Sequence, residues 1–90
     1  MSRWSLEFST EAERDLVRLD QPVRKRVIEK LDWFLDNFDS VFPIPLTGEY
    51  REFYKLRVGD WRIFYSIKWT TRIIRVEYIE HRNKAYRKRK

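Results

Sequence analysis

Gly59 and Asp60 separate two runs of alternating polarity, and this hairpin signature constrains the chain more than any other feature. Before it, Tyr54, Leu56 and Val58 alternate with Phe53, Lys55 and Arg57. After it, Trp61, Ile63, Tyr65, Ile67 and Trp69 alternate with Arg62, Phe64, Ser66 and Lys68. A period of two marks a strand with one buried face. A two-residue connection with Gly first has the backbone twist that joins two such strands tightly. The register that follows sets Val58 against Trp61, Arg57 against Arg62 and Leu56 against Ile63. A third run, Arg72 to Glu80, extends the sheet, with Ile74, Val76 and Tyr78 on one side and Ile73, Arg75, Glu77 and Ile79 on the other.

Upstream, the apolar spacing becomes helical. Arg3 to Phe8 still alternate as a first strand, but Thr10 followed by Glu13 fits a capping box, and Ala12, Leu16 and Leu19 then recur at helical spacing as far as Asp20. Pro22 suits the first turn of a second helix, whose Val27, Leu31, Phe34 and Phe38 form a stripe with Ile28 and Leu35 beside it. Residues 39–51, containing Pro43, Pro45 and Gly48, read as a loop from helices to sheet. The order is βααβββ, an α+β fold in which an N-terminal strand and a helical hairpin pack with a mainly antiparallel sheet. Ninety residues suit one domain, 1–90, and four Trp, five Tyr and six Phe fill a core that chain length keeps small.

Several function classes are excluded at this level. With no Cys and one His, neither disulfides nor a transition-metal site is expected, and no compact Asp/Glu set suggests Mg²⁺. Neither a cofactor nor a metal is expected. No apolar run approaches about 18 residues and no signal-peptide core follows Met1, so no membrane association and a cytoplasmic location are expected.

The net charge of +6 becomes informative once it is located. All 14 acidic residues lie before position 81 with an equal number of Lys and Arg, so that stretch is neutral. The excess is Arg82, Lys84, Arg87, Lys88, Arg89 and Lys90, an unbroken basic segment of the kind that meets a polyanion. A solvated terminus is the plainer alternative.

The hairpin register supplies a second cationic feature. Arg57 opposite Arg62 is a like-charge pair, destabilising by about 0.2–1 kcal/mol, and Lys55 lies on the same side. A local rule broken in an otherwise consistent sequence points to function, and an anion would relieve the crowding. The alternative is a solvated sheet face, with Glu77 neutralising part of the charge. Arg82 and Tyr86, four apart after the last strand, share one side if that segment turns helically. A metal-free reaction that suits Lys, Arg and Tyr is RNA cleavage by its own 2′-hydroxyl. Arginines stabilise the phosphorane-like charge. Nearby cations favour the phenolate of Tyr86, which is then either a general base or a platform on which a nucleobase stacks.

The run Phe53-Tyr54-Lys55-Leu56-Arg57-Val58-Gly59-Asp60-Trp61-Arg62-Ile63-Phe64-Tyr65, with Pro45-Leu46-Thr47-Gly48 before it and His81-Arg82-Asn83-Lys84-Ala85-Tyr86 after it, resembles the RelE/ParE superfamily of type II toxins. The resemblance covers nearly the whole chain. For RelE-like members it implies cleavage of mRNA in the ribosomal A site, leaving a cyclic phosphate. It also implies roles: Lys55 matches a catalytic basic residue, Arg57 a second basic site, and Arg62 the arginine on the scissile phosphate. Arg82 matches a phosphate-stabilising or acid residue, and Tyr86 the tyrosine that stacks on or activates the nucleotide. The Arg82-to-Tyr86 interval is shorter than in the best-known member and similar to that of others. A histidine near this position assists catalysis in related toxins, which makes His81 a second-rank candidate, while Lys84, Arg87, Lys88, Arg89 and Lys90 would bind RNA.

The implied partners are a cognate antitoxin, which would cover the cationic face with an acidic or amphipathic segment, and the ribosome with its mRNA. Two readings compete. One is a ParE-like toxin that poisons DNA gyrase without cutting RNA, and the other a module that binds RNA without chemistry.

Overall fold

A computed structural model describes residues 3–46, 48 and 52–83. The hairpin is present in the expected register: β3 (Tyr54–Val58) and β4 (Trp61–Lys68) pair antiparallel, with Val58 opposite Trp61, Arg57 opposite Arg62 and Leu56 opposite Ile63, where β1 and β2 are the earlier strands Ser5–Phe8 and Ile44–Pro45. Gly59 carries the turn with φ of 58°, in the left-handed region that a Cβ disfavours. The last strand, β5 (Ile73–His81), pairs antiparallel with β4 and parallel with β1, giving a five-stranded sheet in the order β1-β5-β4-β3-β2. Strand β2 lies within the segment expected to be a loop. Its two residues, one of them proline, offer no period to read, and it forms by pairing Ile44 with Lys55 and Pro45 with Tyr54.

Two helices cover one face. Ser9, not Thr10, caps α1 (Thr10–Arg18): its backbone is extended and its Oγ accepts the Ala12 amide hydrogen at 3.0 Å. Glu13 is then one place too far along to close a capping box. Helix α2 (Gln21–Asp36) has Pro22 in its first turn and buries Val27, Leu31 and Phe34. Phe38, also buried, belongs to a separate 3₁₀ turn, Phe38–Ser40. These side chains meet Leu56, Ile63, Tyr65, Ile74 and Val76 of the sheet, which defines its inner face. No helix among the described residues is long and apolar enough to cross a membrane.

One irregularity in β5 decides where the last residues point. Tyr65 pairs with Val76 but Phe64 pairs with Tyr78, so Glu77 is an extra residue and the alternation changes phase there. Ile74 and Val76 face the helices as expected. Tyr78 does not: it stacks on Phe64 of the far face, with ring centroids 4.6 Å apart, and Ile79 takes the inner position.

Candidate functional site

Alternation on β3 and β4 sends Lys55, Arg57 and Arg62 to the far face, because their neighbours Leu56, Val58 and Ile63 pack on the helices. Arg57 and Arg62 stand directly opposite each other, and Lys55 follows on the same side one row along, opposite Phe64. Among the described residues none of the three cations forms an ion pair with a carboxylate. Beside them, Phe64 and Tyr78 are buried beneath Leu46 and Phe53, with the Leu46 amide donating to the Phe53 carbonyl at 3.0 Å. The cationic row therefore borders a packed aromatic floor.

The remaining predicted residues are distributed unequally. Arg82 lies in the turn after β5, beside the hairpin: its amide donates to the Asp60 carbonyl at 2.8 Å, and its Nε lies 3.6 Å from Asp60 Oδ1. That ion pair is exposed on both sides, so water and an incoming phosphate compete with it readily. His81 goes to the other face. The phase change at Glu77 turns it inward, where its ring meets Trp61 edge-on at 5.1 Å and its Nδ1 accepts the Asn83 amide hydrogen at 3.2 Å. Tyr86, Lys84, Arg87, Lys88, Arg89 and Lys90 lie outside the described residues.

Two residues not anticipated from sequence belong to this region. Glu80, buried, is the register partner of Arg62 on the side away from Arg57. Directly opposed residues share a face, so Arg62 stands between a like charge and an opposite one. The apolar doublet Tyr78-Ile79 was the available signal, since two adjacent buried residues interrupt a period of two. Arg26 of α2 reaches the hairpin turn, its guanidinium 3.9 Å from where a Cβ on Gly59 would stand. Only the packing of α2 against the turn brings it there.

Glu77, considered above as a neutralising group, lies elsewhere on the sheet: it accepts from the Ser66 hydroxyl at 2.7 Å and pairs with Arg75 at 3.5 Å. Tyr65, stacked on Tyr54 in the inner core, is no candidate for acid–base work, because burial pushes its phenol above the ordinary value.

A sequence model of the family described as "ParE toxin of type II toxin-antitoxin system, parDE" matches residues 6–86. The chain belongs to the RelE/ParE superfamily of type II toxins. No curated protein matches it. Among solved structures, the toxin resembles a chain of the RelBE2 toxin-antitoxin complex from Mycobacterium tuberculosis, at 25% identity and a TM-score of 0.78 over 88% of this chain and 98% of that one. It is also similar to the isolated RelE toxin of E. coli, with 19% identity, a TM-score of 0.74, and coverage of 91% and 87%. A YoeB/ParE toxin from Agrobacterium tumefaciens superimposes with a TM-score of 0.69 at 14% identity, covering 86% and 96%. The last two likenesses speak for the fold alone, and they bear out the α+β arrangement of two helices on a mostly antiparallel sheet.

Proposed function

We propose that this toxin is a metal-free, ribosome-dependent endoribonuclease that cleaves mRNA in the A site by attack of the 2′-hydroxyl on the adjacent phosphorus. One observation carries the reading: Lys55, Arg57 and Arg62 form a single far-face cluster in which none is ion-paired to a described carboxylate, with Glu80 opposite Arg62 the one acidic neighbour in register among the described residues, although Arg57 and Arg62 repel each other across the strand pair. Attack forms the O2′–P bond and breaks the P–O5′ bond, leaving a 2′,3′-cyclic phosphate and a free 5′-hydroxyl. Arg62 and Arg57 stabilise the charge that builds on the equatorial oxygens, and this works because the donors are already in place before the charge develops. Lys55 extends the field along the strand, Arg82 releases Asp60 to meet the phosphate or the departing oxygen, and Tyr86 serves as base or stacking platform. Lys84, Arg87, Lys88, Arg89 and Lys90 hold the RNA backbone, and residues 1–90 act as one cytoplasmic toxin domain.

A cognate antitoxin completes the proposal. Several similar structures are of toxins solved with their antitoxins, and an acidic segment laid over the cationic row would satisfy the same charges as RNA. The test uses purified toxin on ribosomes programmed with a defined mRNA. Cleavage within the reading frame is expected, and its persistence in a folded Arg62→Ala variant would overturn the site assignment.

The gyrase-poisoning reading has one observation in its favour, namely that the family matching residues 6–86 is described as that of the ParE toxin. It leaves the Lys55, Arg57 and Arg62 cluster without a task. A supercoiling assay run beside the ribosome assay separates the two.

A further inference from the structure

Strand β1 stops pairing with β5 at Phe8 opposite Val76, yet β5 runs on to His81. Beyond Val76, β5 therefore has an edge with no strand beside it among the described residues, and this is the stretch that contains the extra residue Glu77 and ends at the site. The N-cap of α1 and a residue from the middle of that helix occupy that edge. The Ser9 amide donates to the Val76 carbonyl at 2.9 Å, the Ser9 Oγ donates to the Glu77 carbonyl at 2.6 Å, and the Ile79 amide donates to Asp15 Oδ2 at 2.9 Å. Ser9 and Asp15 are each only 7% exposed, and the Ser9 Oγ is fixed further by the Ala12 amide.

We infer that Asp15, aided by Ser9, is a positioning residue for the far-face site, standing in for the missing strand and locking the β5 bulge. A one-residue change of register moves every side chain of a strand to the opposite face. With the bulge held at Glu77, Glu80 lies beside Arg62, Arg82 meets the hairpin turn, and His81 rests on Trp61. Without it, His81 would replace Glu80 on the far face. Asp15 touches no substrate in this account. It acts through the Ile79 backbone, three residues before Arg82, and so sets what β5 brings to the site, whereas the places of Lys55, Arg57 and Arg62 themselves follow from the β3–β4 register. The catalytic half of the inference rests on the nuclease reading, and the structural half does not.

The chain has a single histidine, so the imidazole signals of His81 are unambiguous in an NMR spectrum, and the Trp61 ring 5.1 Å away should displace them from free-histidine positions. In Asp15→Ala those signals should move toward free-histidine positions while the remaining spectrum stays folded. On programmed ribosomes kcat should fall about tenfold or more, as misplaced catalytic groups demand, with KM changed less than about twofold. Asp15→Asn keeps an acceptor for the Ile79 amide and should restore both readouts. Ser9→Ala should shift both in the same direction by less, and it decides the matter if Asp15→Ala does not fold.

Unmoved His81 signals in the folded variants would overturn the inference. An Asn variant as damaged as the Ala variant would also overturn it, by showing that charge and not the hydrogen bond matters. Displaced His81 signals with undiminished cleavage would sink the catalytic half while leaving the nuclease intact. Absence of cleavage by the wild-type toxin would sink the nuclease reading and the catalytic half with it, leaving the register claim to stand or fall on the His81 signals.

Discussion

Strand β4 contributes to two charged ends of the far face, and they are built differently. Toward its end at Lys68, Ser66 and Lys68 join Glu7, Arg75 and Glu77 in a closed network: Arg75 bonds Glu7 at 2.8 Å and Glu77 at 3.5 Å, Lys68 lies 3.7 Å from Glu7, and Ser66 donates to Glu77. Toward the hairpin, Arg62 faces Arg57 with Lys55 alongside, and among the described residues no carboxylate pairs with any of them. The first end satisfies its charges internally and presents little field to a ligand. The second has Glu80 opposite Arg62 but no ion pair on its three cations among the described residues, and the positive field it retains is what a polyanion-binding site requires. The contrast lies in where the carboxylates stand, not in the number of cations.

The largest expected consequence comes from exchanging one arginine at each end. Arg62→Ala should reduce cleavage on programmed ribosomes on the order of 10²–10³-fold, the usual loss when a donor to a developing oxyanion is removed. Arg75→Ala should leave cleavage within about twofold, since exposed ion pairs contribute little to a fold and Arg75 is remote from the cluster. Equal losses at both positions would erase the distinction. A smaller effect is expected in binding. Each phosphate contact on single-stranded RNA contributes about 0.7 to the slope of log affinity against log salt, so Arg57→Thr should lower that slope by about 0.7. Arg75→Thr should leave it unchanged.

The same Arg57→Thr change should act oppositely on stability. Removing one member of a like-charge cross-strand pair, and placing a β-branched residue in the strand, should raise unfolding free energy by about 0.2–1 kcal/mol. The urea midpoint should rise with no change in m, and the gain should shrink in high salt as the repulsion is screened. A variant that gains stability while losing RNA affinity is the expected mark of a site kept for function. Destabilisation by Arg57→Thr would mean that the pair is already relieved within the fold.

Much of this was legible in the sequence, and the reasons for the misses are physical. The hairpin and its opposed arginines follow from local rules, because a two-residue turn fixes the register and the register fixes the faces. The β5 bulge leaves only the adjacent apolar pair Tyr78-Ile79 as a local trace, since alternation through Arg75, Val76 and Glu77 reads the same with or without it. The groups that hold it, Asp15 and Ser9, are 64 and 68 residues away in the chain from Ile79 and Glu77. That single unread feature reversed the expectations for Tyr78 and Ile79, brought Glu80 to Arg62, and turned His81 away from the cationic face. Arg26 was missed for a related reason, because helix–sheet packing rather than spacing places it at Gly59.

The neutral end offers the smallest effect, and it sharpens the comparison because the cationic end has no counterpart to it. The Arg75 hydrogen bond, with Lys68 nearby, holds the Glu7 carboxyl below its ordinary value of 4.5, and the same bond raises the Arg75 guanidinium. A carboxyl whose folded value is depressed binds protons less readily in the folded state than in the unfolded one. Its stabilising contribution is therefore complete above the unfolded value and is lost as pH falls through the lower, folded one. Wild-type stability should begin to decline below about pH 4.5, and Glu7→Gln should flatten that part of the curve while leaving neutral-pH cleavage alone. The Glu7 side chain is 39% exposed, so the difference should be small and should diminish with added salt. If Glu7→Gln leaves the acid limb unchanged at low ionic strength, the closed network contributes nothing measurable. The two ends would then differ only in the field they present to RNA.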